Sequence, residues 1–127
     1  MQGKYLYEYA TIRFVPKVER EEFLNVGTIL FCKKEQFINV LFTIDEKRIT
    51  AFCGETDLEL LEKNLEAFQK IAWGKTNGGP LAKLDMTSRF RWLTAVRSSV
   101  IQTSRPHGGF SGDLERTAQR LFTEMVL

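Results

Sequence analysis

From Tyr5 to Val15 the chain alternates between two kinds of side chain. Tyr5, Tyr7, Tyr9, Thr11 and Arg13 fall on one face of an extended strand, and Leu6, Ala10, Ile12 and Phe14 on the other. Glu8 interrupts the second face near its exposed end. Pro16 has no N–H to donate to a ladder and ends the strand. Glu19 to Phe23 predicts a short helical turn. A second strand is predicted from Leu24 to Cys32 and a third from Phe37 to Ile44, with Ile38, Val40, Phe42 and Ile44 sharing a face. The four residues Lys33-Lys34-Glu35-Gln36 suit a hairpin loop between them. Gly27, inside a strand, predicts a bulge or a close backbone approach.

Helical spacing then takes over. Asp45 is placed to cap a short helix carrying Ile49, Phe52 and Cys53, stopped by Gly54. Thr56-Asp57-Leu58-Glu59 matches a capping box, with Thr56 at the cap. Leu58, Leu61, Leu65, Phe68, Ile71 and Ala72 recur on one stripe as far as Gly74. Gly74 to Pro80 is a glycine-rich loop. Thr87 or Ser88 caps a short helix through Leu93. Ser99 to Ser104 suits a late strand, and Pro106-His107-Gly108-Gly109 is a break. From Asp113 a last helix carries Leu114, Ala118, Leu121, Phe122 and Met125 on one stripe.

Strands first and helices after predict an α+β fold. The expectation is a single domain over residues 1–127. It has a small antiparallel sheet of three N-terminal strands plus the late one, and helices packed mainly on one face. The row Tyr5, Tyr7, Tyr9 beside Arg13 is either an open surface for bases or a partner, or a face covered by one of the protein's own helices.

Composition fits that picture. The 127 residues are 43% hydrophobic, with ten phenylalanines, and 27% charged, which is ordinary for a globular domain and argues against disorder. The net charge of +2 gives weak support to nucleic-acid binding, which usually shows a strong basic excess. Cys32 and Cys53 lie in apolar surroundings and are expected to be reduced, buried thiols. There is no CxxC, and one histidine cannot complete a His-rich metal site, so no metal or other cofactor is expected. The start, MQGKYLYEYA, lacks the apolar run of a signal peptide, and no stretch approaches the ~20 apolar residues of a membrane span. A soluble cytoplasmic protein without membrane contact is expected.

One segment departs from the average. RFRWLTAVRSSVIQTSRPH, from Arg89 to His107, holds Arg89, Arg91, Arg97 and Arg105, no lysine, Trp92 and the only histidine. No acid occurs between Met86 and Gly112, although acids make up 16 of the 127 residues. Arginine presents a planar fork of donors that matches carboxylate and phosphate, which lysine cannot do. Two uses of these arginines follow. Arg89, Arg91 and Arg97, with Arg13 at the strand end, form a pocket for an anion, oriented by Ser98 and Gln102. In the other use they pair internally with Glu19, Glu21 and Glu22, or cap helix C-termini.

His107 is the candidate for acid–base chemistry, in a loop whose glycines allow a ligand close to the backbone. A solvated loop histidine is the commoner outcome. Gly74-Lys75-Thr76 with Gly78-Gly79-Pro80 fails as a P-loop, because Gly-Lys-Thr precedes the glycines and follows a helix. Asn25-Val26-Gly27 either brings an amide beside bare backbone for a guest, or forms a bulge with Asn25 satisfying the turn.

Two blocks carry a resemblance. YEYATIRFVPKVEREEFLNVGTILF (Tyr7 to Phe31) and RFRWLTAVRSSVIQTSRPH resemble a bacterial family of short proteins catalogued only as a domain of unknown function. The shared features are the Tyr-x-Tyr start, the Ile-Arg-x-Val-Pro strand end, Asn-Val-Gly, and the Arg-Phe-Arg-Trp-Leu-Thr-Ala block. They span the chain from Tyr5 into the last helix. Val96 departs from the pattern, where the family has a proline. The resemblance implies a fold class and a bacterial cytoplasmic setting, and it brings no active site. It also implies a protein partner, through genetic neighbours that look like kinases of toxin–antitoxin systems.

The leading expectation is a non-enzymatic module that binds an anion-bearing partner: a protein, a phosphorylated ligand or a nucleic-acid backbone. Arg13, Arg89, Arg91, Arg97, Ser98, Gln102 and His107 are the candidate residues. The alternatives are an enzyme acting on a phosphorylated or nucleotide substrate with His107 as acid or base, and a purely structural protein–protein interaction module. Oligomeric state is not fixed by the sequence.

Overall fold

Three consecutive antiparallel strands build most of the sheet: β1 (Tyr5–Phe14), β2 (Leu24–Cys32) and β3 (Phe37–Phe42). These elements come from a computed structural model that describes residues 4–127. Their period-2 pattern sorts the residues of β1 as expected. Ala10, Ile12 and Phe14 enter one core, and Tyr5, Tyr7 and Tyr9 enter another on the opposite face. The turn at Lys33–Gln36 closes the hairpin, with Gln36 at φ 49° and its amide donating back to the Lys33 carbonyl.

Gly27 answers to both of its sequence readings. Ile12 pairs with Gly27 but Arg13 pairs with Asn25, so Val26 is an extra residue in β2. The bulge re-phases the strand, and Leu24 and Val26 point into the same core as Ile29 and Phe31. A Cβ on Gly27 would stand 2.5 Å from the Leu41 carbonyl oxygen, which only glycine tolerates.

The far edge of β1 is paired by two short segments, β4 (Ile101–Thr103) and β5 (His107–Ser111). β4 falls inside the predicted Ser99–Ser104 strand. β5 corrects the reading of Pro106-His107-Gly108-Gly109 as a break. The glycines are there because Tyr7 lies across the strand: a Cβ on Gly109 would meet the Tyr7 ring and hydroxyl, at 2.5 Å from the oxygen. Between the two segments the edge bulges. Thr11 accepts from the Ser104 N–H and donates its own N–H to Ser104 Oγ, both at 2.9 Å. The hydroxyl stands in for the carbonyl that the bulge turns away.

Four α-helices cover the sheet: α1 (Glu46–Cys53), α2 (Leu58–Trp73), α3 (Met86–Leu93) and α4 (Leu114–Met125). The first three supply Ile49, Leu61, Leu65, Phe68, Phe90 and Leu93 to the larger core. Each fully buried side chain of this size contributes about 1.5–3 kcal/mol. α4 covers the other face, where Leu114, Ala118 and Leu121 pack with Tyr7, Leu30 and Cys32. The helices lie mainly on one face, as expected, and the tyrosine row is covered by the protein's own helix.

Caps set the helix starts. Asp45, Asp57, Asp85 and Asp113 each accept an N–H from the first turn. Two of these correct the sequence reading. Asp57 rather than Thr56 caps α2, because the Thr56 hydroxyl is held 2.9 Å from Cys53 Sγ. Asp85 rather than Thr87 or Ser88 caps α3. Cys53 is half-buried, not buried, while Cys32 is buried. The expected helical turn at Glu19–Phe23 is a 3-10 turn at Val18–Arg20. No helix among the described residues is long and apolar enough to cross a membrane.

Candidate functional site

The arginines of the acid-free segment do not converge. Arg89 spans the C-terminus of α2: its Nε donates to the Ala72 carbonyl at 3.2 Å and its Nη1 to that of Leu84 at 2.6 Å. Arg91 makes a two-pronged bond to Glu8, at 2.9 and 2.8 Å. The Glu8 carboxylate holds the Arg91 guanidinium above its ordinary pKa. Arg97 lies 4.0 Å over the Trp92 ring and donates to the Trp92 carbonyl.

Two of these contacts take up the C-terminal carbonyls of α2 and α3, one of the internal uses anticipated. The expected counterpart Glu19–Glu22 takes no part. Glu22 pairs with Arg20 at 2.5 Å, and the carboxylate that meets the segment is Glu8, 83 residues before Arg91. Arg105 and Ser98 are exposed, as is Val96 in the same loop.

Strand alternation separates the remaining candidates. Glu8 and its partner Arg91 belong to one face of β1. His107 pairs with Tyr9 across the strand and belongs to the other, with the two rings 5.6 Å apart. His107 is exposed. It shares a face with Arg13, but Arg13 is four positions along the strand from Tyr9, roughly 13 Å. The structure therefore brings His107 together with none of Arg13, Arg91 or their partners.

Arg13 and Gln102 do meet. They are direct cross-strand partners on β1 and β4, and Asn25 is the partner of Arg13 on β2. The three form a row across the sheet on the face covered by α4, at the end of that helix. Asn25 donates its amide to the Met125 carbonyl at 3.2 Å, and Arg48 takes the next carbonyl, that of Val126. Gln102 donates to the Ser99 carbonyl at 2.8 Å. Phe23 stacks on the Arg13 guanidinium, 3.9 Å from ring centre to Cζ.

Among the described residues Arg13 has no carboxylate within ion-pair distance. Its Nε and the Asn25 Oδ1 are both buried without a protein hydrogen-bond partner. A buried donor left unmet costs about 1–3 kcal/mol, so its retention calls for a reason.

Asn25 and Phe23 complete this row, and the sequence reading did not place them there. The available signal was the Asn-Val-Gly bulge. Read with its re-phasing, it turns Asn25 toward Arg13's face. A separate cleft of about 450 Å³ lies beside α1, lined by Lys17, Arg20, Glu22, Cys53 and Thr56 among others. Its cations and carboxylates are mixed, and none of the candidate residues lines it. No group of His, Cys, Asp and Glu suited to a metal ion occurs among the described residues.

No curated protein and no solved structure matches the chain. A family model described as "Protein of unknown function (DUF3037)" matches residues 9–126. With that span including nearly all of both sequence blocks, all four helices and most of the sheet, the chain belongs to the DUF3037 family.

Proposed function

We propose that this protein is a non-enzymatic binding module that receives a carboxylate- or phosphate-bearing partner at Arg13. The observation that carries the reading is a guanidinium with no carboxylate partner among the described residues, set between Asn25 and Gln102 and stacked on Phe23. The aromatic ring holds the guanidinium plane in one orientation, which reduces the entropy lost when a planar anion docks. The two amides are fixed by bonds to backbone carbonyls, so the row is set before a guest arrives.

Ser98 and Arg97 border β4 in the preceding loop and flank this row in sequence. Arg89 and Arg91 belong to the scaffold in this reading. The acid–base alternative lacks a specific observation in its favour: His107 is exposed, and Arg13 and Arg91 lie away from it along the strand or on the opposite face.

Inorganic phosphate is the simplest probe. Titrated into the labelled protein, it should move the side-chain amide resonances of Asn25 and Gln102. Arg13→Gln should remove that response, and Arg91→Ala should keep it. Equal responses in Arg13→Gln and the parent protein would end the proposal. A steep loss of partner affinity with salt would favour a nucleic-acid backbone, through counterion release; a shallow one would favour a protein.

A further inference from the structure

β5 is an edge strand with an uncovered face. It pairs only with β1, and its outer edge is free among the described residues. The strand, His107-Gly108-Gly109-Phe110-Ser111, carries no Lys, Glu, Asp or Pro to discourage pairing. Phe110 and its cross-strand partner Leu6 are 59% and 60% exposed. Both are on the face that α1–α3 cover elsewhere, and the Glu8–Arg91 pair is the next rung along the ladder.

The ladder fixes which groups point outward. The N–H groups of Thr11 and Val15 both point toward the β4/β5 edge. The odd-numbered residues of β1 therefore form the hydrogen-bonded pairs on this side, with His107, Gly109 and Ser111. Gly108 and Phe110 turn their N–H and C=O groups out.

We infer that β5 pairs with β5 of a second copy of this chain, antiparallel about a two-fold axis at Gly109. In that register Gly108 of each copy faces Phe110 of the other, and the two rungs form about four backbone hydrogen bonds. The exposed aromatic thus meets a residue with no side chain, on the face where its ring must lie. Within one chain the Tyr7 ring already uses the same device, lying over Gly109 on the opposite face. Charge agrees with the register. Arg105 and Asp113 are four residues either side of Gly109, so each exposed arginine falls opposite the partner copy's aspartate. The two sheets become one, with β5 at its centre and the unprotected edge removed.

Sedimentation equilibrium of the full chain tests this. The parent protein should show a reversible monomer–dimer equilibrium at concentrations up to about 200 μM. Gly108→Val separates this pairing from loose apolar association. A Cβ there meets only the Tyr7 carbonyl oxygen at 3.8 Å, so the monomer should accept it, and valine favours a strand. Valine would nonetheless occupy the place of the partner's Phe110, and the dimer Kd should rise at least about tenfold. Arg105→Glu should also raise it, and more at low salt than at high. Circular dichroism and melting temperature should match the parent in both variants. A parent that stays monomeric overturns the inference, as does a dimer that Gly108→Val leaves unchanged or tightens. Neither result touches the Arg13 reading, which involves the other end of β1.

Discussion

The arginines of α3 and the arginine of β1 occupy contrasting surroundings. Arg89 and Arg91 sit in the densest guanidinium cluster of the sequence, yet each is used by the fold. Arg89 ties down the end of α2, and Arg91 grips Glu8 with both nitrogens. Arg13 stands alone in an apolar-looking strand, and it has no carboxylate among the described residues. A local excess of one charge in sequence thus marks where a short helix needs anchoring. The absence of acids nearby in sequence says little about acids nearby in space, since Glu8 belongs to the first strand. Which guanidinium is left without a carboxylate is decided in the folded chain, not by its neighbours in sequence.

The largest expected effect that could break this contrast belongs to Arg89. Arg89→Ala removes hydrogen bonds to the Ala72 carbonyl at the α2 end and to the Leu84 carbonyl just before α3, and loss of charge-assisted bonds of this kind costs about 1.5–3 kcal/mol each before relaxation. Partial exposure and water access reduce this, and a total of about 1–3 kcal/mol is expected from urea unfolding. A change below about 0.5 kcal/mol would show that Arg89 is not a structural arginine after all.

Arg91→Ala should cost less, at most about 1 kcal/mol. The pair is on the surface, with the Arg91 side chain 54% exposed, although its two-pronged geometry places it at the upper end for such pairs. The loss should shrink as salt is added, and a double-mutant cycle with Glu8→Gln isolates the coupling. Because Arg91 titrates far above neutral and its pKa is raised, the contribution is present across the working range.

The third effect is confined to acid. The Ser88 N–H bonded to Asp85 holds that carboxyl below its ordinary pKa, with Arg89 and Lys33 acting in the same direction. A depressed folded-state value stabilises above the unfolded-state pKa, and the benefit is lost as pH falls through the folded value. The start of α3 should therefore loosen below the ordinary carboxylate range. Asp85→Asn should flatten that part of the profile when melting temperature is followed against pH. An unchanged profile would mean that the cap does not couple to stability.

Much of the local structure was legible. β2 falls within its expected bounds, Asp45 caps its helix, the last helix starts beside Asp113, and Gly54 and Gly74 stop theirs. These features depend on neighbours within a turn or two, where alternation, helical spacing and cap chemistry act. The misreadings share a cause. Thr56 lost the cap to Asp57 because its hydroxyl meets Cys53 Sγ. Gly108-Gly109 became a strand because Tyr7, about a hundred residues earlier, needs the space over Gly109.

The candidate site divides in the same way. Arg13 and Gln102 could be singled out by residue type, but their direct opposition depends on a parallel accounting of three strands. The bulge at Val26 decides that Asn25 joins them, and α4's docking decides that its end lies there.

The order and periodicity of the residues, acting through short-range sterics and backbone hydrogen bonding, determined the elements and the α+β class. Only the packed sheet decided which guanidinium groups are occupied, that the tyrosines are covered by α4, and that β5 is an edge. Those outcomes depend on contacts between residues tens of positions apart, and the free energy of such contacts exists only once the chain has closed on itself.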